Sequence, residues 1–296
     1  MRSRSAALWL AAFGLSAHSA SAALLVYEPF DYADAVVLQG VPVSGLNLTG
    51  TWSAPVGPFQ QLHAAEPGLG YGALSGMPLP VGNRLAQVNG VTSGSATASV
   101  DTDLLFGPDT EIFWSVLMTL DDSSNGNRLA HLNLVDSSTG DTIGFGEPVV
   151  GSGAIRIDVS TAATGGLVAN GPDNAFVDGR TVLLVGRYLN ASAADGDRLD
   201  LLVYDTTDAE TIAATFDLLD PAAEHVLSIT GRDIDLARID AISFQIRGTN
   251  DNFVDELRIG TSYADVVPEP GTALLLATGL CGLAAARSRS RRTGSP

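Results

Sequence analysis

Downstream of Glu111 the chain keeps repeating one unit, a short run of apolar, β-branched or aromatic residues followed by a cluster of Asp, Asn, Gly and Ser. The segment Glu111 to Leu120 (EIFWSVLMTL) is rich enough in such residues to be a central strand buried on much of both faces. Arg128 to Val135 alternates instead: Ala130, Leu132 and Leu134 form an apolar side, and Leu129, His131, Asn133 and Val135 the other, as in a half-buried strand. Residues 154–159, 181–188, 198–204, 239–246 and 253–259 repeat the pattern, with turn clusters such as 121–127 and 193–197 between. No sustained helical period occurs away from the two ends, beyond a turn or two of helix expected between Leu218 and Val226. There is no βαβ alternation and no repeat of fixed period. Such strands must bury one face against a second sheet, so the expected fold is all-β, a two-sheet antiparallel sandwich of jelly-roll type. An up-and-down barrel is the alternative.

The ends of the chain follow a different logic. Arg2 and Arg4 precede an apolar stretch from Ala6 to Ala17, and Ala20-Ser21-Ala22 offers small residues where a signal peptidase reads them, so residues 1–22 are expected to be a signal peptide cut after Ala22. A permanent N-terminal anchor is the weaker reading, because the apolar stretch is too short to span. At the other end come Val267-Pro268-Glu269-Pro270, an apolar run from Gly271 to Ala286, and a basic cluster of Arg287, Arg289, Arg291 and Arg292. As a helix the run is about 24 Å long against a hydrocarbon core of ~30 Å, a short transmembrane helix that spans only with its flanks. The arginines hold its end in the cytoplasm, and the two prolines keep the junction extended outside, as a protease would bind it.

In this order the three parts resemble the PEP-CTERM domain, a bacterial sorting tag read by a membrane protease of the exosortase class. The resemblance covers residues 267–292 and implies an exported protein, held at the inner membrane as a precursor and delivered to the cell surface or extracellular matrix. Signal peptidase and an exosortase are then its processing partners. A plain membrane anchor that is never processed is the competing reading.

Between Ala23 and Val267 there are 32 acidic residues, 10 arginines and no lysine, a net charge of −22 that repels nucleic acid and anionic lipid. The only cysteine, Cys281, lies in the apolar tail, so the body is held by core packing or metal rather than a disulfide. The opening Tyr27-Glu28-Pro29-Phe30-Asp31-Tyr32 and the closing segment Asn252 to Val266 (NFVDELRIGTSYADV) are similar to the first and last strands of the concanavalin A-like, laminin-G-like sandwich. That resemblance implies one domain over residues 23–266 and a carbohydrate-binding role. The Gly- and Pro-rich stretch from Pro55 to Leu85 fits it least and is expected to be a long irregular loop.

Catalytic chemistry finds little support. Hydrolysis of glycans needs two carboxylates across the scissile bond, yet no two of Glu28, Glu66, Glu111, Glu147, Glu210, Glu224 and Glu256 share a strand face at i and i+4. His63, His131 and His225 lie in no nucleophile motif, and nothing pairs His or Cys locally for zinc or copper. The expectation is a non-enzymatic protein, with a secreted glycan-active hydrolase and a purely structural matrix component as alternatives. Calcium is the cofactor the oxygen-rich loops would suit, best at Asp121, Asp122, Asn125 and Asn127, then at Asp195 and Asp197 or Asn250 to Asn252. Asx-rich turns also form for backbone reasons alone. Polysaccharide is the expected ligand, with Trp52 as a stacking face or, equally, a core anchor beneath a loop.

Overall fold

The computed structural model describes residues 23–53, 62–74, 82–87, 93–120, 129–147, 154–161, 165–171, 180–191, 196–208, 211–232, 234, 236, 238–247 and 252–267. The signal region, the sorting tag with Pro268, Glu269 and Pro270, and the 121–128 loop lie outside the described residues. Fifteen strands follow in chain order: Leu24–Glu28 (β1), Leu48–Ser53 (β2), Leu62–Ala65 (β3), Arg84–Gln87 (β4), Ser93–Leu105 (β5), Thr110–Leu120 (β6), Leu129–Asp136 (β7), Asp141–Glu147 (β8), Arg156–Ser160 (β9), Leu167–Asn170 (β10), Arg180–Asn190 (β11), Asp197–Asp205 (β12), His225–Arg232 (β13), Arg238–Arg247 (β14) and Phe253–Gly260 (β15). One helical turn, Tyr263–Val266 (α1), closes them. Among the described residues no helix is long and apolar enough to cross a membrane.

The strands form two antiparallel sheets rather than a barrel. One runs β13-β12-β11-β6-β15-β4-β3, with β1 also paired to β15, and the other runs β10-β9-β8-β7-β14-β5-β2. The main core lies between them. Trp114 of β6 stacks on Phe145 of β8 with ring centroids 5.0 Å apart, and Phe30, Trp52 and Phe244 form a second aromatic group. Gly186 of β11 lies under the Trp114 indole, where a Cβ would sit 2.1 Å from the ring, so no larger residue fits.

A second apolar cluster covers the outer face of the eight-stranded sheet. Phe113 and Leu117 of β6, Leu183 and Val185 of β11, and Leu202 and Tyr204 of β12 meet Leu69, Tyr71, Ile212, Tyr263 and Val266 from the covering segments and α1. This explains why β6 is apolar on both sides: it has a core above and below. Asp220 pins the covering layer by accepting from Tyr204 Oη and from the amides of Ala213 and Ala222. Its segment corrects the helix expected over Leu218 to Val226, which is replaced by tight turns (Asp220 N to Asp217 O, Ala223 N to Asp220 O) leading into β13. The expected loop from Pro55 to Leu85 likewise contains β3 and part of the covering layer. Asp255 of β15 ties that layer down by accepting from Leu69 N at 2.7 Å.

The two ends of the body lie side by side. β1 pairs with β15, Ala23 N donates to Thr261 Oγ1 at 3.2 Å, and Thr261 N donates back to Ala23 O. The last turn is docked, since Ser115 Oγ donates to Val266 O at 2.6 Å from inside the sheet.

Candidate functional site

The second apolar cluster lies on the eight-stranded sheet, and among the described residues no such cluster covers the outer face of the seven-stranded sheet. Strand alternation puts Ala96, Ala98, Leu132, Leu134, Ile242 and Phe244 into the core, so the residues between them face out. Cross-strand pairing then sets one straight row over all seven strands: Ser53 opposite Thr97, Thr97 opposite Ser243, Ser243 opposite Asn133, Asn133 opposite Gly144, Gly144 opposite Asp158, and Asp158 opposite Val168. A parallel row holds Ser95, Gln245, His131, Gly146, Arg156 and Asn170. Neither row contains Trp, Tyr or Phe. Thr97 Oγ1 donates to Ser243 Oγ at 3.0 Å and Ser53 Oγ to Thr97 O at 3.2 Å. The side-chain amides of Asn133 and Gln245 make no hydrogen bond to the described residues.

His131 points to this face but is buried, and its ring lies over Gly144, where a Cβ would come within 2.3 Å of Cε1. Its Nε2 meets Asp158 Oδ2 at 3.1 Å, across the intervening β8, and Arg156 Nε lies 3.5 Å from the same oxygen. Burial pushes the Asp158 carboxyl up, but the hydrogen bond and charge of His131, with the Arg156 charge, outweigh it and hold the group below its usual range. His131 is thus a clamp between strands and not the half-exposed side chain the alternation alone suggests.

Trp52, the sequence's candidate for stacking on a sugar, offers no face to solvent. It is 1% exposed, its ring packs among Phe30 and Phe244, and its Nε1 donates to Tyr32 Oη at 2.9 Å. The reason is period two: in β2 the neighbours Thr51 and Ser53 point out, so Trp52 points in. The core-anchor reading holds. Tyr71, Tyr188, Tyr204 and Phe253 are also buried.

The calcium candidates Asp121, Asp122, Asn125 and Asn127 lie outside the described residues, as do Asp195, Asn250 and Asp251. Asp197 is spent inside the fold, accepting from Tyr188 Oη, Ala191 N and Ile234 N. An acidic cluster the sequence did not reveal is Asp205, Asp208 and Glu224, whose ligand oxygens all lie within 4.8 Å of one another. Asp205 Oδ2 is taken by Arg180 Nη1 at 2.5 Å and Oδ1 by the amide and hydroxyl of Thr207, so Asp205 is already engaged within the fold.

Two neighbouring carboxylates occur on β15, but in a closed position. Asp255 and Glu256 are 0% and 1% exposed. Burial pushes Asp255 up to about 8, the Glu256 charge adding to it against the amide bonds of Leu69 and Glu256. Glu256, at φ +54° in the bulge of β15, accepts from Tyr27 Oη and Arg258 Nη2. A glycosidic bond has no route to such a pair in this conformation.

No family model matches the chain, and no curated protein does. Solved structures similar in shape include the CBM2 module of Lactobacillus casei BL23 phage J-1 evolved Dit (8% identity, 81% of this chain and 96% of that chain, TM-score 0.42). A lectin from Bauhinia forficata in complex with GalNAc is similar at 12% identity (82% of this chain, 99% of that chain, TM-score 0.39). An endo-1,3-beta-glucanase from Streptomyces sioyaensis is similar at 12% identity (81% and 96%, TM-score 0.42). At these identities and scores the likeness carries no residue, ligand or reaction across to this chain.

Proposed function

We propose that the protein is an exported bacterial surface or extracellular-matrix component whose sandwich binds polysaccharide without cleaving it, on the outer face of the seven-stranded sheet. The observation that carries this reading is the open polar face itself: hydroxyls at Ser53, Thr97 and Ser243, with amides at Asn133 and Gln245 that have no partner among the described residues. Hydroxyl and amide groups both donate and accept, which is what sugar hydroxyls require of a binding surface. The address is read from the two ends of the chain: residues 1–22 direct export with cleavage after Ala22, and Pro268-Glu269-Pro270 with the following apolar run and arginines is presented to an exosortase. Calcium enters the proposal only through Asp121, Asp122, Asn125 and Asn127.

The test is a glycan-array screen of the full chain in mild detergent, with an Asn133→Ala/Gln245→Ala double variant beside it. Saturable retention on a polysaccharide that the variant loses is the expected result. Retention unchanged in the variant would place the site elsewhere, and no retention at all would leave a structural matrix component.

A further inference from the structure

Resting on that reading, we infer that the ligand is an extended, uncharged polysaccharide chain lying across the strands, one sugar per strand, held edge-on by hydrogen bonds rather than stacked on aromatic rings. The register carries the argument. The row from Ser53 to Val168 pairs residue with residue across seven strands, and the irregularity of the β2–β5 pair, between Thr49 and Ser53, lies at its end. At the usual inter-strand spacing of about 4.8 Å its six steps make a strip of about 29 Å. The polar groups at Ser53, Thr97, Ser243 and Asn133 are therefore separated by a distance close to the repeat of an extended sugar chain. The side chains at Ser53, Thr97, Ser243 and Asn133 are uncharged and short, so among the described residues of the row none rises to form a pocket for a single ring before Gly144, over which the His131 ring lies.

The mode of contact follows from what the face lacks and what it has to spare. With no Trp, Tyr or Phe in either row, ring stacking has no partner. Asn133 and Gln245, diagonal neighbours on β7 and β14, together bring amide donors and acceptors unused by the described residues. Charge selects the ligand further. The first charged group in the row, Asp158, is already paired with His131 beside Arg156, and a body of net charge −22 repels a polyanion. A neutral glycan is the class that meets no such penalty.

A ladder of cellulose-derived and laminarin-derived glucose oligomers, from dimer to octamer, titrated calorimetrically into the full chain, tests this. Affinity should climb at least about tenfold from dimer to heptamer and then level off, as each sugar along the strip adds contacts until the strip ends. Asn133→Ala and Ser243→Ala should each weaken the hexamer by about threefold to tenfold. Leu219→Ala, on the exposed surface of the covering layer, should change nothing, and equal melting temperatures would exclude misfolding. Binding of equal strength from dimer to octamer, or tighter binding of a polyuronate than of these neutral chains, overturns the inference while leaving polysaccharide binding intact. Failure of every oligomer and every arrayed glycan to bind overturns both.

Discussion

Replacing Glu28 by glutamine should make the stability curves of the two proteins cross as pH rises. Glu28 is 0% exposed, and burial pushes its carboxyl up from 4.5 to about 7 despite hydrogen bonds from Phe30 N (2.7 Å), Tyr32 Oη (3.2 Å) and the Gly45 backbone. An acid whose folded value is raised contributes stability that is fully present below its unfolded value and lost as pH rises through the folded one. For Glu28 that window runs from about pH 4.5 to just above pH 7, and the displacement corresponds to roughly 3 kcal/mol. Glutamine removes the titration but offers only one acceptor oxygen, so it forfeits about 1 kcal/mol of hydrogen bonding at every pH. The variant should thus be less stable than the parent by about 1 kcal/mol at acid pH and more stable by roughly 2 kcal/mol at pH 8. Asp255, pushed up to about 8 by burial, titrates in both proteins and cancels in the difference. Urea unfolding followed by tryptophan fluorescence, repeated from about pH 4.5 to pH 8.5, reads the effect directly. Two curves that stay parallel across that range would refute the buried, titrating carboxyl.

Gly186→Ala should cost about 3 kcal/mol or prevent folding, because the added Cβ meets the Trp114 ring at 2.1 Å in a core with no room to give; a denaturation midpoint within error of the parent would contradict the packing. Changing Pro268, Glu269 and Pro270 to alanine should leave an uncut, membrane-held precursor, detected by fractionation and mass spectrometry, whereas normal processing would remove the motif's role. If the 121–127 loop holds calcium, calcium should raise the melting temperature of the parent and not of Asp122→Asn, and chelator should reverse it; identical responses would assign the loop to plain turns.

Much of the architecture is written in alternation. The strands β6, β7, β11, β12, β14 and β15 were each visible as apolar runs or period-two patterns between turn clusters, and the inward set Ala130, Leu132 and Leu134 is the one observed. The second core was legible only obliquely, as the unusual apolarity of both sides of β6. The short strands β2, β3 and β4 were hidden by the Gly and Pro around them, and β13 by polar residues after Pro221 that imitate a helix start. The candidate site was legible in composition but not in place. Ser93-Gly94-Ser95-Ala96-Thr97-Ala98-Ser99 alternates small polar with small apolar residues, yet nothing local says that Thr97 will lie between Ser53 and Ser243, far away along the chain. Trp52 shows the converse: its small polar neighbours suggest a loop, whereas two-residue alternation turns it into the core.

The position of β15 sets the order in which the eight-stranded sheet can close. It is the last strand to be synthesised, yet it lies in the interior of its sheet, paired with β6 and β4, and it also receives β1, the first strand. A chain threading through an export channel from its N-terminus therefore cannot close the eight-stranded sheet until Gly260 has emerged. Up to that moment β1 lacks its strand partner, keeping only the bridge of Tyr27 to Leu46, and β6 presents an unpaired edge, a condition in which chains are open to proteolysis and to wrong pairing. On the proposed export route, completion of the sandwich would then come only when residues next to the tail emerge, so that closure of the fold would report that translocation of the body has finished.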